Sequence, residues 1–306
     1  MFNPYLPENI KITRITEQTS SIKMFRFEFV QKIWGYRFSF SPGQFIELSL
    51  PGLGEAPFAP CHAPGEKYFE LCIRRVGRLT EKIHEMKVGD TLGLRGPYGQ
   101  GWQIETLRHP DPAAAGEGSN KKEGIIKIQD SSVASLPQND KRANNLIIIV
   151  GGLGLIPLRS LILGKEKFLG KDAKIQIFYG AKNPNEMLFR DEYDKWRQNN
   201  IEVNLTVDKE CAGWEGCVGL VTELFDKFTL LENSQVFLCG PPVMYKPAIA
   251  KLKEKGIPDE DIFLSLERRM HCGIGICQHC AVGPYYTCQD GPVFAYNKIK
   301  DIPEAI

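Results

Sequence analysis

Asn145-Leu146-Ile147-Ile148-Ile149-Val150-Gly151-Gly152-Leu153-Gly154-Leu155-Ile156-Pro157 is the stretch on which the fold turns. The unbroken apolar run reads as a strand buried on both faces, the habit of parallel sheets covered by helices. It enters a glycine-rich turn without a linker, and Pro157 suits the first turn of the helix predicted over 157–168. A strand, a glycine turn and a helix N-terminus in that order can hold a phosphate, because the first helical amides have no partner within the helix. Alone, such a turn is weak evidence. Gly151-Gly152-x-Gly154-x-x-Pro157 also departs from the G-x-G-x-x-G dinucleotide fingerprint.

Downstream the alternation continues. Strands are predicted over 174–179, 202–207, 235–239 and 262–266, with helices around 186–198, 221–228 and 242–255. Strand–helix alternation implies a parallel sheet with both faces covered, and ligands then bind beyond the carboxyl ends of its strands. At one such end stands Cys239-Gly240-Pro241-Pro242. Cys239 is either a residue of the ligand site or an ordinary buried thiol, a common fate for cysteine.

After the last predicted strand, Cys272, Cys277, Cys280 and Cys288 follow the spacing C-x4-C-x2-C-x7-C, four of nine cysteines within seventeen positions. Close spacing lowers the loop-closure cost of bringing several thiolates together, and C-x4-C-x2-C…C is the plant-type 2Fe–2S spacing. A structural zinc knot is the alternative, with His271 and His279 as further ligands. The unequal spacing lacks the paired C-x2-C units of a zinc ribbon.

Upstream, short runs rich in β-branched and aromatic residues occupy 10–17, 23–29, 44–50, 68–74 and 91–94. They are punctuated by Ser41-Pro42-Gly43 and Pro51-Gly52, with one short helix over 79–86. Short strands at this spacing predict a small antiparallel barrel. Between barrel and sheet, 109–143 is rich in Gly, Ser, Lys, Asp and Asn. It reads as a surface insertion with at most a strand at 125–128 and a hairpin partner at 133–136.

Four landmarks in the barrel carry a resemblance: Pro42-Gly43-Gln44-Phe45, Gly54-Glu55-Ala56-Pro57-Phe58-Ala59, Gly77-Arg78-Leu79-Thr80 and Arg95-Gly96-Pro97-Tyr98-Gly99. Together with the Gly151 turn and the Cys239-Gly240-Pro241-Pro242 turn, they resemble the ordered motifs of the ferredoxin–NADP reductase superfamily. The terminal cysteines place the chain near the branch containing hydrogenase and sulfur-reductase gamma subunits and the electron-transfer subunit of dihydroorotate dehydrogenase. The resemblance implies FAD along Pro57, Phe58 and Ala59, with its pyrophosphate at Gly77, Leu79 and Thr80. It implies NAD(H) or NADP(H) at Gly151, Gly152, Gly154, Pro157, Gly240 and Pro241, with Cys239 beside the nicotinamide. It also implies a 2Fe–2S cluster on Cys272, Cys277, Cys280 and Cys288. Two positions depart from the family pattern: Glu55 stands where an arginine is usual and Ala59 where a serine is usual. A carboxylate cannot neutralise a pyrophosphate, so Arg74 on the preceding strand is the candidate replacement. Asp208, just after the third strand of the sheet, favours a free ribose hydroxyl over a 2′-phosphate.

The expected architecture is therefore a β barrel plus an α/β domain with a small iron–sulfur segment. Its parts are a flavin barrel over 1–108, an insertion over 109–143, a nucleotide domain over 144–266 and a cysteine tail over 267–306. Composition is ordinary for a globular protein. With 306 residues, 42% hydrophobic and 25% charged, the chain can fill two cores. A net charge of +1 argues against broad nucleic-acid binding. The apolar segment from Leu146 to Leu158 is too short to span a bilayer. No basic leader followed by an apolar run opens the sequence, and unpaired cysteine usage fits a reducing cytoplasm. Nothing resembles a site for hydrogen, sulfite or orotate chemistry, so a catalytic redox partner subunit is expected. A self-contained flavin reductase with a zinc-bound tail is one other reading, and a non-catalytic scaffold that has lost flavin, suggested by Glu55 and Ala59, is a second.

Overall fold

The computed structural model describes residues 4–31, 38–63, 65–104 and 145–306. The strand and hairpin expected at 125–136 lie outside these described residues.

Strands β1 (Glu8–Glu17), β2 (Ile22–Phe29), β3 (Phe45–Leu50), β4 (Gly54–Phe58), β5 (Phe69–Arg74) and β6 (Thr91–Tyr98) form an antiparallel sheet in the order β4-β3-β6-β1-β2-β5. An antiparallel bridge from Pro60 to Leu71, with the Cys61 amide donating to the Glu70 carbonyl at 2.9 Å, joins the two edges and rolls the sheet into a barrel. Alternate residues of the strands point inward. Ile10, Ile12, Phe25, Phe27, Ile46, Leu48 and Leu71 are all fully buried in its core. β4 is the strand that the sequence pattern does not predict. Its Gly54 and Pro57 are poor strand formers, and cross-strand pairing with β3, from Ile46–Phe58 to Leu50–Gly54, holds it. The single barrel helix α1 (Arg78–Glu85) packs Ile83 and Leu79 onto this core.

The second sheet contains β7 (Asn145–Gly151), β8 (Ile175–Ala181), β9 (Ile201–Val207), β10 (Cys217–Val218), β11 (Ser234–Cys239) and β12 (Ile262–Ser265). Two further short strands, β13 (Ala281–Val282) and β14 (Tyr285–Tyr286), pair as a hairpin, and β15 (Val293–Ala295) completes the main sheet. Its order is β10-β9-β8-β7-β11-β12-β15. All neighbours are parallel except β15, which runs antiparallel to β12. Thus the cysteine tail supplies the edge strand of the nucleotide sheet.

Helices are shorter than the sequence periodicity predicts. Gly164 divides the first into α2 (Ile156–Leu163) and α3 (Lys165–Phe168). Phe189, at φ 55°, confines the next to α4 (Tyr193–Gln198). Only α5 (Leu224–Lys227) follows a 3-10 turn at Val221–Glu223, whereas α6 (Pro242–Glu254) runs nearly as expected; α7 (Tyr296–Ile299) closes the chain.

Barrel and nucleotide sheet share a core. Trp102, at the end of the barrel, stacks on Phe237 of β11 with ring centroids 4.5 Å apart and 15° between planes. Arg159 of α2 crosses the same seam. Its guanidinium donates to Glu70 of β5 at 3.0 Å, to the Cys61 carbonyl at 2.7 Å and to Glu192 at 2.6 Å. Glu70 is held on its other oxygen by Arg26 at 2.8 Å.

Candidate functional site

The order of the parallel strands reverses between β7 and β11, and both glycine turns leave the sheet there. In open α/β sheets this is where ligands bind. The two turns touch: a Cβ on Gly154 would lie 1.9 Å from the Cys239 carbonyl oxygen, and one on Gly240 would lie 3.0 Å from the Gly151 amide nitrogen. Only glycine permits this approach. Gly152, at φ +54°, has open space where a side chain would be, so its backbone is accessible. Pro157 sits in the first turn of α2 and Pro241 caps α6. Asp208 is exposed immediately after β9, its amide bonded to the Ala181 carbonyl at 3.0 Å. The cradle fits a dinucleotide laid across the switch point.

Cys239 is 6% exposed, and burial raises its thiol to about 12 while Ser265 works the other way. At neutral pH it is a thiol, not a thiolate. Tyr245 was not legible as a site residue. Its hydroxyl accepts from the Gly240 amide at 3.3 Å and donates to the Ser265 carbonyl at 2.5 Å. It thereby ties the Cys239 turn to the end of β12, a link between residues with no common sequence pattern.

In the barrel, Pro57, Phe58 and Ala59 form a half-buried strip at the end of β4. Arg74 is exposed at the end of β5, three residues before the Gly77 turn. That turn is braced from within: Thr80 Oγ1 accepts the Val76 and Gly77 amides at 2.9 and 3.0 Å and donates to the Gly77 carbonyl at 3.0 Å. The first intrahelical bond runs from Glu81 to Gly77 at 2.8 Å, which leaves the Arg78 and Leu79 amides at the open helix end. The Gly77 amide itself is engaged by Thr80, so Arg78 joins Leu79 as a first-turn donor that the motif reading passed over.

Glu55 is engaged within the protein. Both its oxygens accept from Arg95, at 2.9 and 2.7 Å, and Arg95 is 6% exposed. Beside this pair, Glu47 is buried with no hydrogen-bond partner on Oε1. Burial, then the neighbouring Glu55 charge, raises it to about 8, so it is largely the neutral acid at pH 7. A Cβ on Gly273 would lie 3.2 Å from its Oε1, which sets Glu47 directly beneath the cysteine loop.

The loop itself folds its amides toward sulfur. Gly273 and Gly275, at φ +73° and +79°, turn the backbone so that the Ile274, Ile276 and Cys277 amides reach Cys272 Sγ at 3.3–3.4 Å. The Gly275 amide reaches Cys288 Sγ at 3.1 Å. Cys277 lies beside Cys272, and Cys288 lies beside both Cys280 and Cys272. The His279 backbone amide foremost lowers Cys277, and burial raises Cys288 to about 12, a value that ligation to iron would override. Phe45, Tyr98, Met270 and Tyr286 shield Cys280 and Cys288. His271 and His279 are exposed and pack edge-on against each other at 4.4 Å. Among the described residues, no three His, Cys, Asp or Glu side chains converge on one ion. Four neighbouring cysteines with backbone N–H donors to the Cys272 and Cys288 sulfurs fit an iron–sulfur centre.

Three family models match in the same order: an oxidoreductase FAD-binding domain over residues 9–102, an oxidoreductase NAD-binding domain over 148–249 and the iron–sulfur cluster binding domain of dihydroorotate dehydrogenase B over 267–300. The gamma subunit of sulfhydrogenase 2 from Pyrococcus furiosus is 39% identical over 290 residues, covering 90% of this chain and 88% of that protein. The chain belongs to this family of flavin- and iron–sulfur-containing oxidoreductase subunits. A further member is the probable dihydroorotate dehydrogenase B (NAD(+)) electron transfer subunit of Methanocaldococcus jannaschii. It is 31% identical over 272 residues, with 89% of this chain and 82% of that protein covered. Family membership accords with FAD-, NAD- and iron–sulfur-binding domains in one chain. For the fold, the solved NADH-dependent reduced ferredoxin–NADP oxidoreductase superposes with a TM-score of 0.66 at 21% identity, covering 99% of this chain and 94% of that one. No helix among the described residues is long and apolar enough to cross a membrane.

Proposed function

We propose that this chain is the electron-transfer subunit of a multi-subunit redox complex of the sulfhydrogenase gamma type, working in the cytoplasm. The observation that carries the reading is the 39% match running through barrel, nucleotide sheet and cysteine loop together. When bound, FAD and the 2Fe–2S centre would supply the change from hydride to single-electron chemistry. The protein supplies position and field. The Gly151, Gly152, Gly154 and Pro157 turn, with Gly240 and Pro241, holds the dinucleotide, and neutral Cys239 flanks the nicotinamide without adding charge. Asp208 accepts from a ribose hydroxyl and repels a 2′-phosphate, so NAD(H) is preferred. The strip Pro57-Phe58-Ala59 lines the flavin, the first-turn amides of α1 face its pyrophosphate, and Arg74 supplies positive charge. Cys272, Cys277, Cys280 and Cys288 ligate the cluster. The units are those read from the sequence, 1–108, 144–266 and 267–306, with 109–143 inserted.

A complex of the dihydroorotate dehydrogenase B kind is the second reading, supported by the match at 31% identity. Identification of the subunits that co-purify with the native chain separates the two.

The test of the electron path is Cys277→Ala in the native complex, purified without oxygen. NADH should still bleach the flavin absorbance, the broad 2Fe–2S bands should vanish, and delivery to the partner should fall at least a hundredfold. Undiminished delivery without the cluster would sink the proposed path, and zinc in place of iron in the unaltered chain would establish the flavin-reductase alternative.

A further inference from the structure

The departure at Glu55 is matched by Arg95. Its carboxylate grips Arg95 through two bonds, at 2.9 and 2.7 Å, across 40 positions of sequence. Arg95 then reaches out of the barrel: Nη1 and Nη2 each donate to the carbonyl oxygen of Cys272 at 3.3 Å. Nη1 also donates to the Pro4 carbonyl at 2.9 Å, and the Tyr98 hydroxyl shares that acceptor at 2.9 Å. The Arg95 side chain is 5% exposed and that of Glu55 28%, so solvent screens this pair less than an exposed one. The other ionisable groups near the pair are Glu47, largely neutral at pH 7, and Tyr98.

The geometry points to a charge pair that sets the reduction potential of the centre held by Cys272, Cys277, Cys280 and Cys288. In this arrangement the carboxylate standing at the family's flavin arginine acts on the cluster instead of the flavin. The inference rests on the iron–sulfur reading proposed above. A four-thiolate 2Fe–2S centre gains one negative charge on reduction. A guanidinium bonded to a ligand's own carbonyl favours that reduced form, and the carboxylate beside it offsets part of the effect. Arg95 and Glu55 are positioning residues, since Arg95 acts through the Cys272 carbonyl and Glu55 through Arg95.

The sign of the effect distinguishes charge from mere bracing. In the full chain purified anaerobically, EPR-monitored redox titration of Arg95→Gln should show a cluster midpoint shifted negative. The expected size is at least tenfold in the reduction equilibrium, about 59 mV for one electron. Glu55→Gln should shift it positive by a similar factor, because it leaves the guanidinium unopposed. Arg95→Lys, which keeps the charge but not the paired bonds, should stay within tenfold of native while melting at lower temperature. If Arg95→Gln fails to fold, Glu55→Gln still carries the test. Midpoints that do not move, or that move in the same direction in both variants, overturn the inference. So does loss of flavin with an unmoved cluster, which would return the pair to the flavin wall. A native chain with iron absent fails differently, because it defeats the iron–sulfur reading itself.

Discussion

His62 shows how much chemistry one residue's surroundings decide. It is 2% exposed within a sheath of aromatic rings, Phe40 nearest at 4.7 Å, and its Nδ1 accepts from the Glu70 amide at 3.4 Å. Burial pushes its pKa down to about 4 from 6.5, with Glu70 opposing and Arg159 assisting. The unfolded chain therefore takes up a proton that the folded chain refuses between those values. Stability from this group is complete above about pH 6.5 and is lost progressively as pH falls toward 4, on the order of 3 kcal/mol in all. His62→Phe should flatten the difference in urea midpoint between pH 6.5 and pH 5, whereas an unchanged slope would mean that the ring protonates in the fold. Nothing in the sequence marks His62, because its environment comes from segments distant in the chain. Cys272, Cys277, Cys280 and Cys288 are the opposite case: their spacing announces them, and the fold then brings amide donors to their sulfurs.

Among the elements, α1 makes the clearest test of a turn. Thr80 lies inside the helix and reaches back to two amides ahead of it, a cap supplied from the third helical position. Thr80→Val keeps the shape and removes the one oxygen that accepts both amides. The expected cost is about 1–2 kcal/mol, with flavin released on denaturation falling below one per chain; Thr80→Ser should restore both. Native melting and full flavin in Thr80→Val would show that the turn holds its form unaided. Element type was largely legible from period and punctuation, as β7 and β11 show. Element length was less so. Gly164 and the left-handed Phe189 cut helices short, and β4 exists because β3 pairs with it, not because of its own residues.

For the whole molecule, the ion network through Arg26, Glu70, Arg159 and Glu192 is one of the ties between barrel and nucleotide sheet. Arg159→Met keeps an unbranched apolar stem but removes the guanidinium, which leaves Glu70 with Arg26 alone and Glu192 without its Arg159 partner. Removing one member of a buried network typically costs about 3 kcal/mol or more. Thermal unfolding should fall accordingly, and limited proteolysis should separate the two sheets at lower protease concentration. Melting as native would show that the Trp102–Phe237 stack suffices to hold the seam. The sequence by itself determined what is local: the buried strand running into Gly151, the order of the glycine turns, and the cysteine spacing. Hydrophobic period, left-handed glycine and ligand spacing depend on neighbours a few residues apart. Only the tertiary structure decided the rest. It closed the barrel at Pro60 and Leu71, laid β15 on β12, and gave Glu55 to Arg95. It then carried Arg95 to Cys272, 177 positions away. Such partners are set by how the chain crosses itself, and a carboxylate or a guanidinium carries no sign of its partner in the residues beside it.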